Sequence, residues 1–237
     1  MKGIVLCSGG LDSTLALIKQ LELGLECVPM FINYNQWPSE GEHEAFHNIV
    51  AWCKTTWPSQ VLDAVEPQIS LGDDEGIGSV WGRGIALVGI ASMWAYTHDN
   101  DYDFIALGNH QGDVGPDCKP GSFDHQLNTL LFDTTKGKLS LSLPIRSLSI
   151  GDIGKELASY DKKLFELTYS CYWGPPCGYK SANDSYRCPG CRRKVMAMEA
   201  AAQGNSGLQE FFQERLYQLP NCESRSYQSP RAERVEY

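Results

Sequence analysis

The sequence predicts an α/β fold, a doubly wound parallel sheet with a C-terminal helical cap, and three observations carry that expectation. Short apolar runs alternate with helical periodicities from Gly3 to Ile150. The first run ends in a glycine turn, Ser8-Gly9-Gly10, that leads straight into a helical pattern. Beyond Ser149 no strand pattern appears, and Cys171, Cys177, Cys188 and Cys191 crowd together between helical stretches, which reads as a zinc site.

Gly3 to Cys7 is the first strand, and Leu11, Leu15, Ala16, Ile18 and Leu23 then recur at helical spacing until Gly24 supplies a stop. A second apolar run, Cys27 to Ile32, is followed by a loop from Asn33 to Ser39 and an acidic-started helix from about Glu40 to Lys54. Val61 to Val65 is a third candidate strand. Leu71 to Gly84, rich in glycine and acid, offers little to a core and reads as a loop over a site. Leu87, Ile90, Ala91 and Trp94 set a helix over Ile85 to Thr97, and Phe104 to Leu107 forms a strand closed by Gly108. Leu127 to Phe132 lies in a helix, and Leu139 to Ile145 reads as a last strand. Strands that alternate with helices require a parallel sheet. Asp152 to Tyr160 and Arg192 to Gln203 are helical patterns on either side of the cysteine cluster, and Asn221 to Tyr237, nearly free of aliphatic residues, reads as a mobile tail. The expected organisation is a nucleotide-binding domain over residues 1–150, a zinc-bearing cap over 151–220 and a tail over 221–237.

A chain of 237 residues allows one α/β domain with an appendage, or two small domains. Its 42% hydrophobic content excludes a wholly disordered chain. No apolar run approaches the roughly 18 residues of a membrane span. The apolar stretch Ile4 to Cys7 is too short for a signal peptide, so a cytoplasmic enzyme is expected. The net charge of −9 argues against a nucleic acid as the main ligand, although a local basic channel stays open. Nine cysteines, an odd number without an export signal, fit metal binding better than a disulfide framework.

Ser8-Gly9-Gly10-Leu11-Asp12-Ser13 sits between the first strand and the first helix, where unpaired amides and the helix dipole favour an anion. Ser8, Ser13 and Thr14 add hydroxyl donors, and Asp12 places a carboxylate where Mg²⁺ on a polyphosphate can be held. The segment is neither a Walker loop nor a dinucleotide fingerprint. By itself a Ser-Gly-Gly is weak, since a tight turn capped by Ser8 explains it too.

Four thiolates satisfy tetrahedral zinc with no open position, the pattern of a structural site. Arg187, Arg192, Arg193 and Lys194 surround the Cys188-Pro189-Gly190-Cys191 knuckle; they either offset thiolate charge, meet a phosphate, or form a solvated face. Cys27, Cys53 and Cys222 read as core or incidental residues, as does the Cys7 thiol itself.

With Ser8 to Thr14, the chain resembles the ATP pyrophosphatases, whose loop reads Ser-Gly-Gly-x-Asp-Ser and which cleave ATP between its α and β phosphates. Tyr34-Asn35-Gln36, Gly82-Arg83, Pro116-Asp117-Cys118 and Thr168-Tyr169-Ser170-Cys171-Tyr172-Trp173-Gly174 narrow the resemblance to the QueC-type 7-cyano-7-deazaguanine synthase family, over about residues 3 to 200. The resemblance implies an adenine nucleotide alpha hydrolase-like fold that binds ATP, Mg²⁺ and Zn²⁺. It implies 7-carboxy-7-deazaguanine and ammonia as substrates, no stable nucleic-acid partner and, as often in the family, a homodimer. The reaction adenylates the carboxylate, forms the amide, then activates and dehydrates it to the nitrile. Asp12, Ser13 and Arg83 would be the catalytic residues. The ATP-contacting stretch would run through Cys7, Ser8, Gly9, Gly10, Leu11, Asp12, Ser13, Thr14, Leu15, Ala16 and Leu17.

Departures from the family pattern fall on the substrate side. Gly84 stands for an Asn, Trp81 for a Pro and Leu167 for a Lys; the loop from Gly108 to Pro116 is shorter, losing a Tyr, and Gly178 to Arg187 is an insertion. These leave open a relative that stops at the amide or joins the carboxylate to another amine. A tRNA-thiolating pyrophosphatase is disfavoured by the acidic charge, and a catalytically dead nucleotide-binding module by the intact Asp12 and Ser13.

Overall fold

The computed structural model describes residues 1–69, 82–98, 101–113, 121–172 and 189–215. Four parallel strands, β1 (Lys2–Leu6), β2 (Glu26–Met30), β3 (Phe104–Ala106) and β4 (Ser140–Ser142), lie in the order β2-β1-β3-β4. Beyond Lys2 the two central strands, β1 and β3, carry no polar side chain, because both faces are covered. The period-2 alternation then splits the core in two. Val5, Cys27, Phe31, Phe104 and Ala106 face one apolar cluster, while Ile4, Leu6, Val28, Met30 and Ile105 face the other.

The first face carries α1 (Leu11–Glu22) and α2 (Ser39–Thr56); the second carries α3 (Arg83–Thr97) and α4 (Ser122–Thr134). A sheet dressed with helices on both faces is the doubly wound arrangement expected. The chain after β4 is helical among the described residues: α5 (Ile150–Tyr160), α6 (Leu164–Leu167), α7 (Pro189–Ala202) and α8 (Ser206–Arg215). A capping box opens α5, with Ser149 Oγ accepting from Asp152 N at 3.2 Å and Asp152 Oδ2 accepting from Ser149 N at 3.1 Å. Ile153, Leu157, Phe165, Val195, Met198 and Phe212 join the first apolar cluster, so these helices share the core of the sheet's first face.

Two local expectations change. Val61 to Val65 is not a regular strand; it touches β2 through isolated parallel bridges, Cys27 with Val61 and Met30 with Val65. Pro29, in the middle of β2, has no N–H to give to that edge, so the ladder is interrupted. The loop expected through Gly84 gives way earlier, because α3 already starts at Arg83 after Gly82 in the left-handed region (φ 74°). The rest of that loop, the Pro116-Asp117-Cys118 element, the Gly178 to Arg187 insertion and the tail lie outside the described residues.

Candidate active site

The chain leaves β1 toward β2 in one direction and returns to β3 on the other side, so the carboxyl ends of β1 and β3 flank a crevice at the switch point, where doubly wound sheets bind ligands. A cavity of ≈ 740 Å³ opens there, lined by Ser8, Gly10, Asp12 and Ser13, and across from them by Arg83, Tyr172 and Arg193.

The floor is the glycine loop. Gly9 has φ +73°, and a Cβ on it would lie 2.7 Å from both Ala45 Cβ and Phe46 N, so only glycine lets the loop rest on the α2 backbone. Gly108, at the end of β3, packs equally closely: a Cβ there would meet Asp12 C and Ser13 N at 2.8 Å. Tyr169 N donates to Gly9 O at 2.9 Å and holds the loop from above. Helix α1 makes its first bond from Thr14 N to Gly10 O at 3.0 Å, which leaves the amides of Leu11, Asp12 and Ser13 to a ligand. Ser13 Oγ accepts from Ser8 N at 3.2 Å, tying the two ends of the turn together.

Beside the loop stands an acidic group with one histidine. His110 Nδ1 accepts from Gly112 N at 3.0 Å, so a neutral ring carries its proton on Nε2. That Nε2 lies 3.5 Å from Asp113 Oδ1 and 4.0 Å from Asp12 Oδ2 without a hydrogen-bond partner. Burial pushes the His110 pKa down, outweighing the pull of Asp113, and Arg193 and Arg146 add to the lowering. Burial, then the charge of Asp113, raises Asp12 to about 7, against the opposing Arg193. Asp12 nonetheless exposes 30% of its side chain, and that surface faces the crevice, so water in the open cavity moderates the shift. Asp12 Oδ1 and Thr14 Oγ1 are buried oxygens with no partner. A carboxyl raised by burial and by a neighbouring carboxylate, with an orphaned oxygen beside an anion cradle, suits a divalent cation carried on a polyphosphate.

The opposite wall is built by the Tyr34-Asn35-Gln36 segment. Asn35 adopts φ 62°, with its N–H donating to Asn33 Oδ1 at 2.9 Å. The turn aims the buried Gln36 side chain so that its Oε1 accepts from Tyr34 N at 3.0 Å and its Nε2 donates to Glu42 Oε2 at 2.9 Å. Burial raises Glu42, while Gln36 and Arg83 lower it. Arg83, in the first turn of α3, is surrounded by protein atoms yet open to water in the crevice, so its contacts are those of a wet pocket wall. Burial opposes its charge, but Tyr34, Tyr172 and Glu42 raise its pKa further.

Of the four cysteines expected to hold zinc, Cys171 and Cys191 are buried, while Cys177 and Cys188 lie outside the described residues. Gly190 brings the two buried cysteines' segments together, since a Cβ on it would overlap Ser170 O. Lys194 is fully buried and donates from Nζ to Thr168 O at 2.6 Å; burial lowers it to about 7, while Cys191 raises it. A cation held beside a thiol suits a thiolate cluster. The basic residues of the knuckle therefore divide: Lys194 faces the cysteines, Arg193 faces the crevice and reaches Asp113 Oδ1 at 3.4 Å, and Arg192 is exposed.

The structure brings Ser8, Gly10, Leu11, Asp12, Ser13 and Arg83 to one cavity, with Cys7 at its base. Leu15, Ala16 and Leu17 are fully buried core side chains one turn below and do not reach it. His110, Asp113, Glu42 and Arg193 went unnoticed as a group in the sequence. The signal for two of them was position: His110 and Asp113 directly follow β3, at the carboxyl edge where such sheets bind.

A parallel sheet whose first βα turn presents a glycine cradle at the switch point defines an α/β nucleotide-binding protein. The family described as Queuosine biosynthesis protein QueC spans residues 2–202, and the chain belongs to it. Its enzymes are ATP-dependent ligases of small molecules. The 7-cyano-7-deazaguanine synthase of Campylobacter fetus subsp. fetus is 25% identical over 217 residues, covering 84% of this chain and 93% of the relative. That of Thermoplasma volcanium is 27% identical over 241 residues, covering 92% and 96%. Among solved structures, the U34-tRNA thiolase NcsA of Methanococcus maripaludis with its 4Fe-4S cluster is similar over 90% of this chain and 72% of its own, at 15% identity and a TM-score of 0.45. No helix among the described residues is long and apolar enough to cross a membrane.

Proposed function

We propose that the chain converts 7-carboxy-7-deazaguanine and ammonia to 7-cyano-7-deazaguanine at the expense of two ATP, as a cytoplasmic enzyme and a homodimer. The observation that carries this is the joining, in one ≈ 740 Å³ crevice, of the glycine cradle, the Asp12 and Asp113 carboxylates and Arg83. A substrate carboxylate oxygen attacks the α-phosphorus of ATP, and pyrophosphate leaves into the amides of Leu11, Asp12 and Ser13. Ammonia then adds to the acyl carbon, loses a proton, and expels AMP to give the amide. In the second round the amide oxygen attacks another α-phosphorus. Loss of that oxygen with AMP and of both amide protons leaves the nitrile.

No protein nucleophile is required; catalysis is positioning and charge stabilisation. Asp12 and Asp113 would hold Mg²⁺, which when bound would supply charge neutralisation for a departing pyrophosphate. Cys171, Cys177, Cys188 and Cys191 would hold Zn²⁺, which would supply structure. Tyr34, Trp37 and Tyr172 offer flat faces for a fused heterocycle, and Arg83 offers a paired donor for its carboxylate.

A second reading, an enzyme that stops at the amide or uses another amine, is favoured by one feature: Leu167 packs against the apolar cluster, so that position brings no cation to the crevice. Mass spectrometry of a reaction with ATP, Mg²⁺, ammonium and 7-carboxy-7-deazaguanine separates the two. Nitrile with AMP supports the first, amide with AMP the second, and absence of AMP rejects both.

A further inference from the structure

A group of potential ligands lies on α2 outside the crevice. His43 and His47, one helical turn apart, project from the same exposed face, and Glu66 meets them from the segment beside β2. Glu66 is fixed by its neighbours: Val65 O accepts from Phe31 N and Pro67 O from Asn33 N, each at 3.0 Å. His43 Nε2 lies 2.6 Å from Glu66 Oε2, His47 Nε2 lies 3.2 Å from Glu66 Oε1, and the two Nε2 atoms are 3.0 Å apart.

Protons cannot satisfy this triangle while the carboxylate is an acceptor only. If both Nε2 atoms bear hydrogen, two donors face each other at 3.0 Å. If either lacks it, that ring's lone pair faces a carboxylate oxygen, at 2.6 or 3.2 Å. A cation at the centre makes every contact attractive. We propose that His43, His47 and Glu66 form a binding site for a divalent transition metal, of the zinc, cobalt or nickel kind that two imidazoles and one carboxylate select.

The spacing agrees, since bonds of about 2.0–2.1 Å to a tetrahedral zinc set neighbouring ligand atoms ~3.3 Å apart. The shorter His43 to Glu66 separation opens by a small rotation of the half-exposed His43 side chain. Phe31, Asn33, Ser39, Glu40 and Gln68 line, with His43 and Glu66, a cavity of ≈ 170 Å³, which leaves room for water in the remaining coordination positions. Phe31 separates this cavity from the crevice and lines both, so the metal is bound apart from the nucleotide.

The test is Ni²⁺ binding to the full chain with its cysteine-bound metal in place, by equilibrium dialysis and metal analysis. The unsubstituted protein is compared with His47→Ala, Glu66→Gln and, as a control, His125→Ala, which removes an exposed histidine on α4. The expected result is one Ni²⁺ per chain bound by the parent and the control and weakened more than ~10-fold in the other two, since even outer-shell substitutions cost that much. Equal binding by all four overturns the proposal. In the unsubstituted protein Ni²⁺ should also shield His43 and His47 from acylation by diethyl pyrocarbonate while His125 stays reactive; unshielded His43 and His47 overturn it as well.

Discussion

Replacing Gly9 by alanine tests whether the glycine cradle is set by its packing on α2. Two costs add at that position. A non-glycine residue at φ +73° loses about 1–2 kcal/mol from left-handed strain. The new methyl would also sit 2.7 Å from Ala45 Cβ and Phe46 N, and since backbone cannot swing aside, overpacking adds about 1–3 kcal/mol. The sum, roughly 2–5 kcal/mol, corresponds to a fall in Tm of roughly 4–20 °C for a chain of this size. The loop must also lift from α2, misplacing the amides of Leu11, Asp12 and Ser13, so AMP formation should drop further than stability does. Gly10→Ala is the contrast. A Cβ there meets only Ser8 Oγ and Tyr169 O at 3.5 Å, an ordinary contact, so its stability cost should stay within about 1 kcal/mol while ATP binding still weakens. Calorimetry and AMP release at saturating ATP measure both. Gly9→Ala with the parent's Tm and rate would refute the packing argument.

Asp12→Asn should abolish AMP release while stabilising the protein at pH 8. Because folding raises this carboxyl from 3.8 to about 7, the folded chain holds a proton that the unfolded chain has lost, and stability falls as pH rises between those values. The variant's Tm advantage should therefore vanish by pH 4, and an equal Tm difference at pH 4 and pH 8 would count against it. The same titration predicts that kcat/KM for ATP declines as pH drops through about 7. Arg83→Ala should lower kcat/KM for the deazaguanine carboxylate ~10- to 150-fold, the loss of a charged hydrogen bond, and leave Tm within a few degrees; a normal kcat/KM would remove Arg83 from the site. Cys171→Ser should be purified with substoichiometric zinc and a lower Tm, and a chelator should reproduce that fall in the parent; full zinc content in the variant would exclude Cys171 as a ligand.

Much of the fold could be read in the sequence because burial on both faces leaves the inner strands largely apolar and the helices periodic. Gly3 to Cys7, Leu11 to Leu23 and Cys27 to Ile32 each became the element expected, within a residue or two. Val61 to Val65 misled because its composition suits a strand, whereas the obstacle, Pro29, sits on the partner. The last strand was expected from Leu139 to Ile145 but pairs only over Ser140–Ser142, since β3 offers it just three partners. The glycine loop was legible because local geometry demands special residues in consecutive positions. His110, Asp113 and Glu42 were not, because they come from the loop after β3 and from α2, and gather around one crevice only through tertiary packing. Leu15, Ala16 and Leu17 show the converse: contiguity with a loop in sequence does not carry a side chain to the same side of a helix.

The most direct measurement uses 7-carboxy-7-deazaguanine labelled with heavy oxygen in its carboxylate, incubated with the protein, ATP, Mg²⁺ and ammonium, and mass analysis of the nucleotide released. Attack by substrate oxygen on the α-phosphorus predicts AMP that carries the heavy oxygen in both activations. Unlabelled AMP, or ADP in its place, would contradict the proposed acyl-adenylate chemistry at this crevice.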